Sequence, residues 1–166
     1  MSLRNLARLK LLLLALFCAS PVLGSWVAYQ ARLPAPGKTV GLLLPTQPFA
    51  VAGAPAWPKG QWVLAVVAGV SCDARCEERL FAARQWHRAQ GEAAARMQRV
   101  LVGEPGGPAL EGVRRVAGGA AAAALEGGVY LVDPLGNQVM FYRDGVAPTA
   151  AIREVARLLK TNNGLG

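Results

Sequence analysis

Of the chain's 166 residues, an apolar N-terminal stretch and a proline-rich segment leave about 120 for folding, room for one core and not two. The formal net charge of +8 does not make a nucleic-acid surface. Three positive charges (Arg4, Arg8, Lys10) flank the apolar stretch, and Arg79, Arg84, Arg88, Arg96, Arg99, Arg153 and Arg157 are scattered instead of forming a tract interleaved with aromatics, so the expectation is a solvated basic face, favourable near anionic lipid, with no nucleic-acid partner.

Residues 1–10 read as a basic cytoplasmic flank and 11–29 as a transmembrane anchor. Leu11 to Tyr29 carries no charge and approaches the roughly 20 apolar residues a spanning helix needs. Basic residues before it and few charges after it direct the rest of the chain out of the cytoplasm, with Trp26 and Tyr29 at the outer interface. A cleaved signal peptide is the competing reading, with Leu11 to Phe17 as its apolar core and Val22-Leu23-Gly24 as its cleavage site. The apolar run continues to Tyr29, past that site, which favours the anchor. Cys18 follows Phe17, too large for a lipoprotein signal, and reads as a buried apolar thiol. Residues 30–48, with Pro34, Pro36, Pro45 and Pro48, read as a stiff linker, and 49–166 as the folded domain.

Within the domain, Phe49 to Gly53 is a weak strand or hairpin arm and Trp62 to Val70 a continuously apolar strand, as burial on both faces requires. Helix is predicted from about Asp73 to Gln90, stopped by Gly91, with Ala82, Trp86 and Ala89 on one inward face and Cys76, Leu80 and Ala83 on the adjoining one. Glu92 to Arg96 adds a turn before a strand at Arg99–Val102. Residues 104–128, rich in glycine and alanine, read as loop, short helix near Ala120 to Leu125, and loop. Val129–Val132 and Gln138–Tyr142 form a hairpin around Asp133-Pro-Leu-Gly-Asn. Pro148 opens a last helix with Ile152, Val155, Ala156 and Leu159 as its buried stripe, ended by Asn163-Gly164. Strand, thiol-bearing helix, strand, hairpin and helix is the order of an α/β thioredoxin-like sandwich, here preceded by a transmembrane helix.

Cys72 and Cys76 carry the chemistry. Three intervening residues are nearly one helical turn, so with Cys76 opening the helix both sulfurs can face one point, as a disulfide or as two ligands of a soft metal ion. The helix N-terminus favours the thiolate that either chemistry uses. A purely structural disulfide is the alternative. Gly127-Gly128 stand where disulfide-reducing thioredoxins place a cis-proline, which argues against a general thiol-disulfide oxidoreductase.

Gly60-Gln-Trp-Val-Leu before the site, Ser71-Cys-Asp-Ala-Arg-Cys-Glu at it and Val129-Tyr-Leu-Val-Asp-Pro-Leu-Gly-Asn after it resemble the membrane-anchored, thioredoxin-like Sco/SenC proteins, in particular a small bacterial branch associated with cytochrome c oxidase assembly. The order of elements agrees over roughly residues 49–159; only the three segments are specific. The resemblance implies a single-pass protein of the bacterial inner membrane with its C-terminal domain in the periplasm. That domain would handle copper, or the thiols of the copper site, with an oxidase subunit or assembly factor as partner. It also implies a copper-binding histidine a few residues before Tyr130, where this chain has Leu125, Glu126, Gly127 and Gly128. The single histidine, His87, lies eleven residues beyond Cys76, about 16 Å along the helix, and is expected to be a bystander. Met97 and Met140 are expected in the core, and Glu77 and Glu78 to stabilise the helix dipole. Two thiolates, Cys72 and Cys76, suit Cu(I) and hold Cu(II) poorly. Three readings follow: a dithiol assembly factor delivering Cu(I) or electrons, a non-catalytic assembly partner with a structural disulfide, and a general oxidoreductase.

Overall fold

The computed structural model describes residues 3–30, 39–68, 71–103 and 110–162, and the chain divides into two units, residues 1–38 and 39–166. The first is a helix, α1 (Leu3–Gln30), whose segment Lys10–Gln30 is long and apolar enough to cross a membrane. Pro21 lies inside it. Lacking an N–H, Pro21 leaves the Phe17 carbonyl without its helical donor, and the Ser20 hydroxyl donates to that oxygen at 2.8 Å. Cys18 is a free thiol on the exposed surface of this helix.

The second unit is built on a six-stranded sheet of β1 (Leu42–Leu43), β2 (Trp62–Val67), β3 (Met97–Gly103), β4 (Val113–Ala117), β5 (Val129–Val132) and β6 (Gln138–Tyr142), in the order β1-β6-β5-β2-β3-β4. β2, β3 and β4 run parallel, while β5 pairs antiparallel with β2 and β6, and β1 antiparallel with β6. Central β2 explains the unbroken apolar run. Trp62, Leu64 and Val66 enter a core shared with helices α2 (Ala74–Arg88) and α4 (Pro148–Thr161), while Val63, Ala65 and Val67 enter a second core on the opposite face with Phe49, Val51 and Trp57. This is the expected thioredoxin-like sandwich.

Several elements differ from expectation. Phe49–Gly53 is not a strand: Pro48 bridges to Asn137, the chain then turns, and Phe49 stacks against Trp57 and Tyr130 at 5.4 and 5.2 Å between ring centroids. The extra strand is β1, within the segment read as linker; of that segment, residues 31–38 lie outside the described residues. β1 is held by the Leu44 N–H donating to Val139 O, and by the Glu154 carboxylate, which accepts from the Val40 and Gly41 N–H groups at 3.1 and 2.9 Å. Within the stretch read as loop and short helix, β4 pairs with β3 and a short helix α3 follows at Gly119–Ala123. Residues 91–96 form a 3-10 turn and β3 starts at Met97.

The two large helices lie close to where periodicity placed them, with small rotations. On α4 the buried stripe is Ala151, Val155 and Leu159, with Ile152 half-buried and Ala156 exposed. On α2, Cys76, Ala83 and Trp86 are buried, Leu80 and Ala82 half-buried, and Ala89 is exposed as the C-cap. Asn162 caps α4, and Asn163-Gly164, like Val70, lie outside the described residues. The hairpin turn has its expected chemistry: Asp133 Oδ1 accepts from the Leu135 and Asn137 N–H groups at 3.0 and 2.7 Å, and Gly136 takes φ +90°.

Candidate functional site

β2 ends at Val67 and α2 begins at Ala74, two residues after Cys72; Ser71, Cys72 and Asp73 form a short exposed entry to the helix. Asp73 is the N-cap, with extended backbone, and its carboxylate accepts from the Cys76 N–H at 3.0 Å. That single bond fixes the first turn and draws Cys76 back toward Cys72. The two cysteines form a disulfide with Cα atoms 5.0 Å apart. Its halves differ sharply. Cys76 is 1% exposed and belongs to the core shared by the sheet, α2 and α4, whereas Cys72 is exposed.

Arg79, one turn beyond Cys76, ties the helix to its surroundings. Its Nε and Nη2 donate to the two oxygens of Asp144, each at 2.6 Å, and its Nη1 donates to the Val67 carbonyl at the end of β2 at 3.1 Å. The hydrogen bonds and charge of Arg79 hold the Asp144 carboxyl below its ordinary range, and the same pairing raises Arg79. Sequence reading missed this pair. Its one signal is a charged residue among the inward-facing positions of an otherwise apolar helix face.

Gly127 and Gly128 also gain a physical reason. A Cβ on Gly127 would stand 2.7 Å from Arg79 Nη1, and one on Gly128 would stand 2.7 Å from the Tyr142 carbonyl and against the Phe141 ring. The Gly128 carbonyl accepts from the Val67 N–H at 3.1 Å, which brings this segment against the end of β2. Leu125 packs on the second core, and Glu126 is exposed, its carbonyl accepting from the Tyr130 hydroxyl and its carboxylate pairing with Arg143 at 3.4 Å.

The other side chains singled out in the sequence lie away from the disulfide or on the surface of α2. His87 is half-buried, its Nε2 3.2 Å from the Met97 carbonyl. Met97 and Met140 are core residues, and Glu77 and Glu78 are exposed on the first turns of α2. Among the described residues no three His, Cys, Asp or Glu side chains converge as a metal cluster. Among the described residues the candidate site thus offers two sulfurs, bonded to each other, and these could hold a metal only after reduction.

No curated protein matches the chain. Among solved structures, that of Bradyrhizobium japonicum ScoI with copper bound is similar, at 19% sequence identity and a TM-score of 0.46, covering 60% of this chain and 85% of that one. The family model described as the transmembrane-like, thioredoxin-like, C-terminal domain matches residues 62–162, from the first residue of β2 to the cap of α4. The chain belongs to that family of transmembrane-like, thioredoxin-like C-terminal domains.

Proposed function

We propose that this protein is anchored in the bacterial inner membrane by α1 and uses the Cys72–Cys76 dithiol on the periplasmic side to assist cytochrome c oxidase assembly. The observation that carries the reading is the asymmetric disulfide at the β2–α2 junction, one sulfur exposed and the other sealed in the core. Such a pair has a defined order of events. In the reduced state the Cys72 thiolate attacks a client disulfide, forming a mixed disulfide and releasing one client thiolate; Cys76 then attacks the Cys72 sulfur, closing the intramolecular bond and releasing the second. Two electrons pass to the client, which gains two thiols once the released thiolates take up protons. The oxidase as client rests on the three sequence segments that resemble Sco/SenC proteins.

Cu(I) as cargo is the second reading, favoured by the donor set: two soft thiolates suit Cu(I), whereas Cu(II) calls on nitrogen or oxygen donors. One sample separates the two. In a Cys18→Ser background, which removes the remaining thiol, thiol trapping of the full chain in detergent across a redox titration should show Cys72 and Cys76 changing together. Titration of the reduced chain with Cu(I) against a competing chelator should then give one equivalent, lost in Cys72→Ser and in Cys76→Ser, if copper is carried. Joint oxidation without copper binding leaves thiol exchange as the activity. A pair that no physiological thiol reduces is a structural bond, and the dithiol function fails.

A further inference from the structure

Three of the domain's five large exposed apolar side chains among the described residues, Val40, Leu42 and Leu43, fall within four positions at its first strand; Phe81 and Leu135 stand on separate elements. β1 is an edge strand, paired with β6 alone, so its successive side chains point to opposite faces of the sheet and neither face is covered over them. A partner lying flat on one sheet face would take only one of the two leucines. A surface met edge-on takes both.

The Glu154 carboxylate fastens the start of β1 to α4 through the Val40 and Gly41 N–H groups. On α4, Arg153, Arg157 and Lys160 follow at spacings of four and three, share one helical stripe and are all exposed. Glu154, the one acidic residue of that helix, is already engaged by the two amides. Apolar edge and basic stripe thus adjoin through one carboxylate. Eight residues separate the end of α1 at Gln30 from Thr39, a covalent reach of at most about 30 Å.

We propose that this apolar edge, with the basic stripe of α4 beside it, is a docking surface for an anionic lipid bilayer, the one its own anchor enters. Leucine and valine side chains seat at the headgroup boundary, while guanidinium and ammonium groups meet lipid phosphates. The short tether keeps the surface at high local concentration, so weak affinity suffices. The inference rests on the anchor part of the reading above and is independent of the thiol chemistry.

The full chain, methyl-labelled at Leu and Val, is placed one copy per nanodisc of phosphatidylcholine with phosphatidylglycerol, with a gadolinium-chelating lipid in the headgroup layer. Relaxation enhancement at the methyls of Val40, Leu42 and Leu43 should exceed that at Val113, on the opposite edge of the sheet, several-fold. It should fall toward the Val113 level in discs of phosphatidylcholine alone, at high salt, and in Arg153→Gln/Arg157→Gln/Lys160→Gln. In Leu42→Ser/Leu43→Ser, Val40 should report the same fall. Broadened methyls of Leu11 to Leu14 in the same sample show that the anchor is inserted, so a failed anchor is told apart from a failed docking. Equal enhancement at β1 and Val113, selectivity that ignores lipid charge and the triple substitution, or selectivity seen only with two chains per disc each overturns the proposal; the last makes the edge an interface between copies.

Discussion

Asp73 caps the helix that carries Cys76, and Arg79, Gly128 and Asp144 fix that helix and the end of β2 beside it. Replacing Asp73 with Ala removes the cap that holds the Cys76 amide, and should lower stability by about 1 kcal/mol and make the disulfide easier to reduce, as read by a glutathione redox titration. Asp144→Asn breaks a charge-assisted bidentate pair whose carboxylate is partly exposed, so a cost of about 1 kcal/mol at neutral pH is expected. The sign of its pH dependence follows from the lowered Asp144 pKa. A carboxyl whose folded pKa lies below its unfolded value contributes fully above the unfolded value and loses that contribution as pH falls through the folded one. Denaturant unfolding should therefore separate wild type from Asp144→Asn at neutral pH and bring them together in acid, below the lowered pKa. Gly128→Ala forces a methyl against the Tyr142 carbonyl and the Phe141 ring and should cost about 1–3 kcal/mol, measured the same way. Cys72 and Cys76 were legible because their spacing has local meaning. Arg79 and Asp144 lie 65 residues apart, and no local pattern links them.

Among the strands, those the sequence announces most clearly are those buried most evenly. β2, buried along its whole length, and the hairpin with its Asp-Pro-Leu-Gly turn follow from composition and turn chemistry. β1 and β4 did not, because both are edges. In Val113-Arg-Arg-Val-Ala only Val116 is buried, so the strand reads as polar among glycines, and β1 has two residues and both are exposed. What holds β1 is a carboxylate from a helix more than a hundred positions away. Glu154→Gln, which weakens acceptance from both amides, should loosen β1 while leaving the central sheet intact. Hydrogen exchange would show it as lost protection at the Leu44 amide, bonded to Val139, with the β2 and β3 amides unchanged.

For the whole molecule, the proposed dithiol chemistry requires the domain to stand on the oxidising side of the membrane. A reporter enzyme active only in the periplasm, fused after Gly166, should be active and sediment with membranes; a soluble mature chain beginning near Ser25 would remove the anchor. The closeness of the two cysteines in sequence has a thermodynamic consequence. Their separation of four closes a very small ring, and a ring that small takes little freedom from the unfolded chain, about 2 kcal/mol in a loop-entropy model. The two cores, the sheet and the packed helices α2 and α4 are the larger source of stability, so reduction is expected to lower the denaturation midpoint of the domain without unfolding it. On the proposed dithiol function, the domain would gain and lose its bond repeatedly without unfolding, as a reusable clasp must.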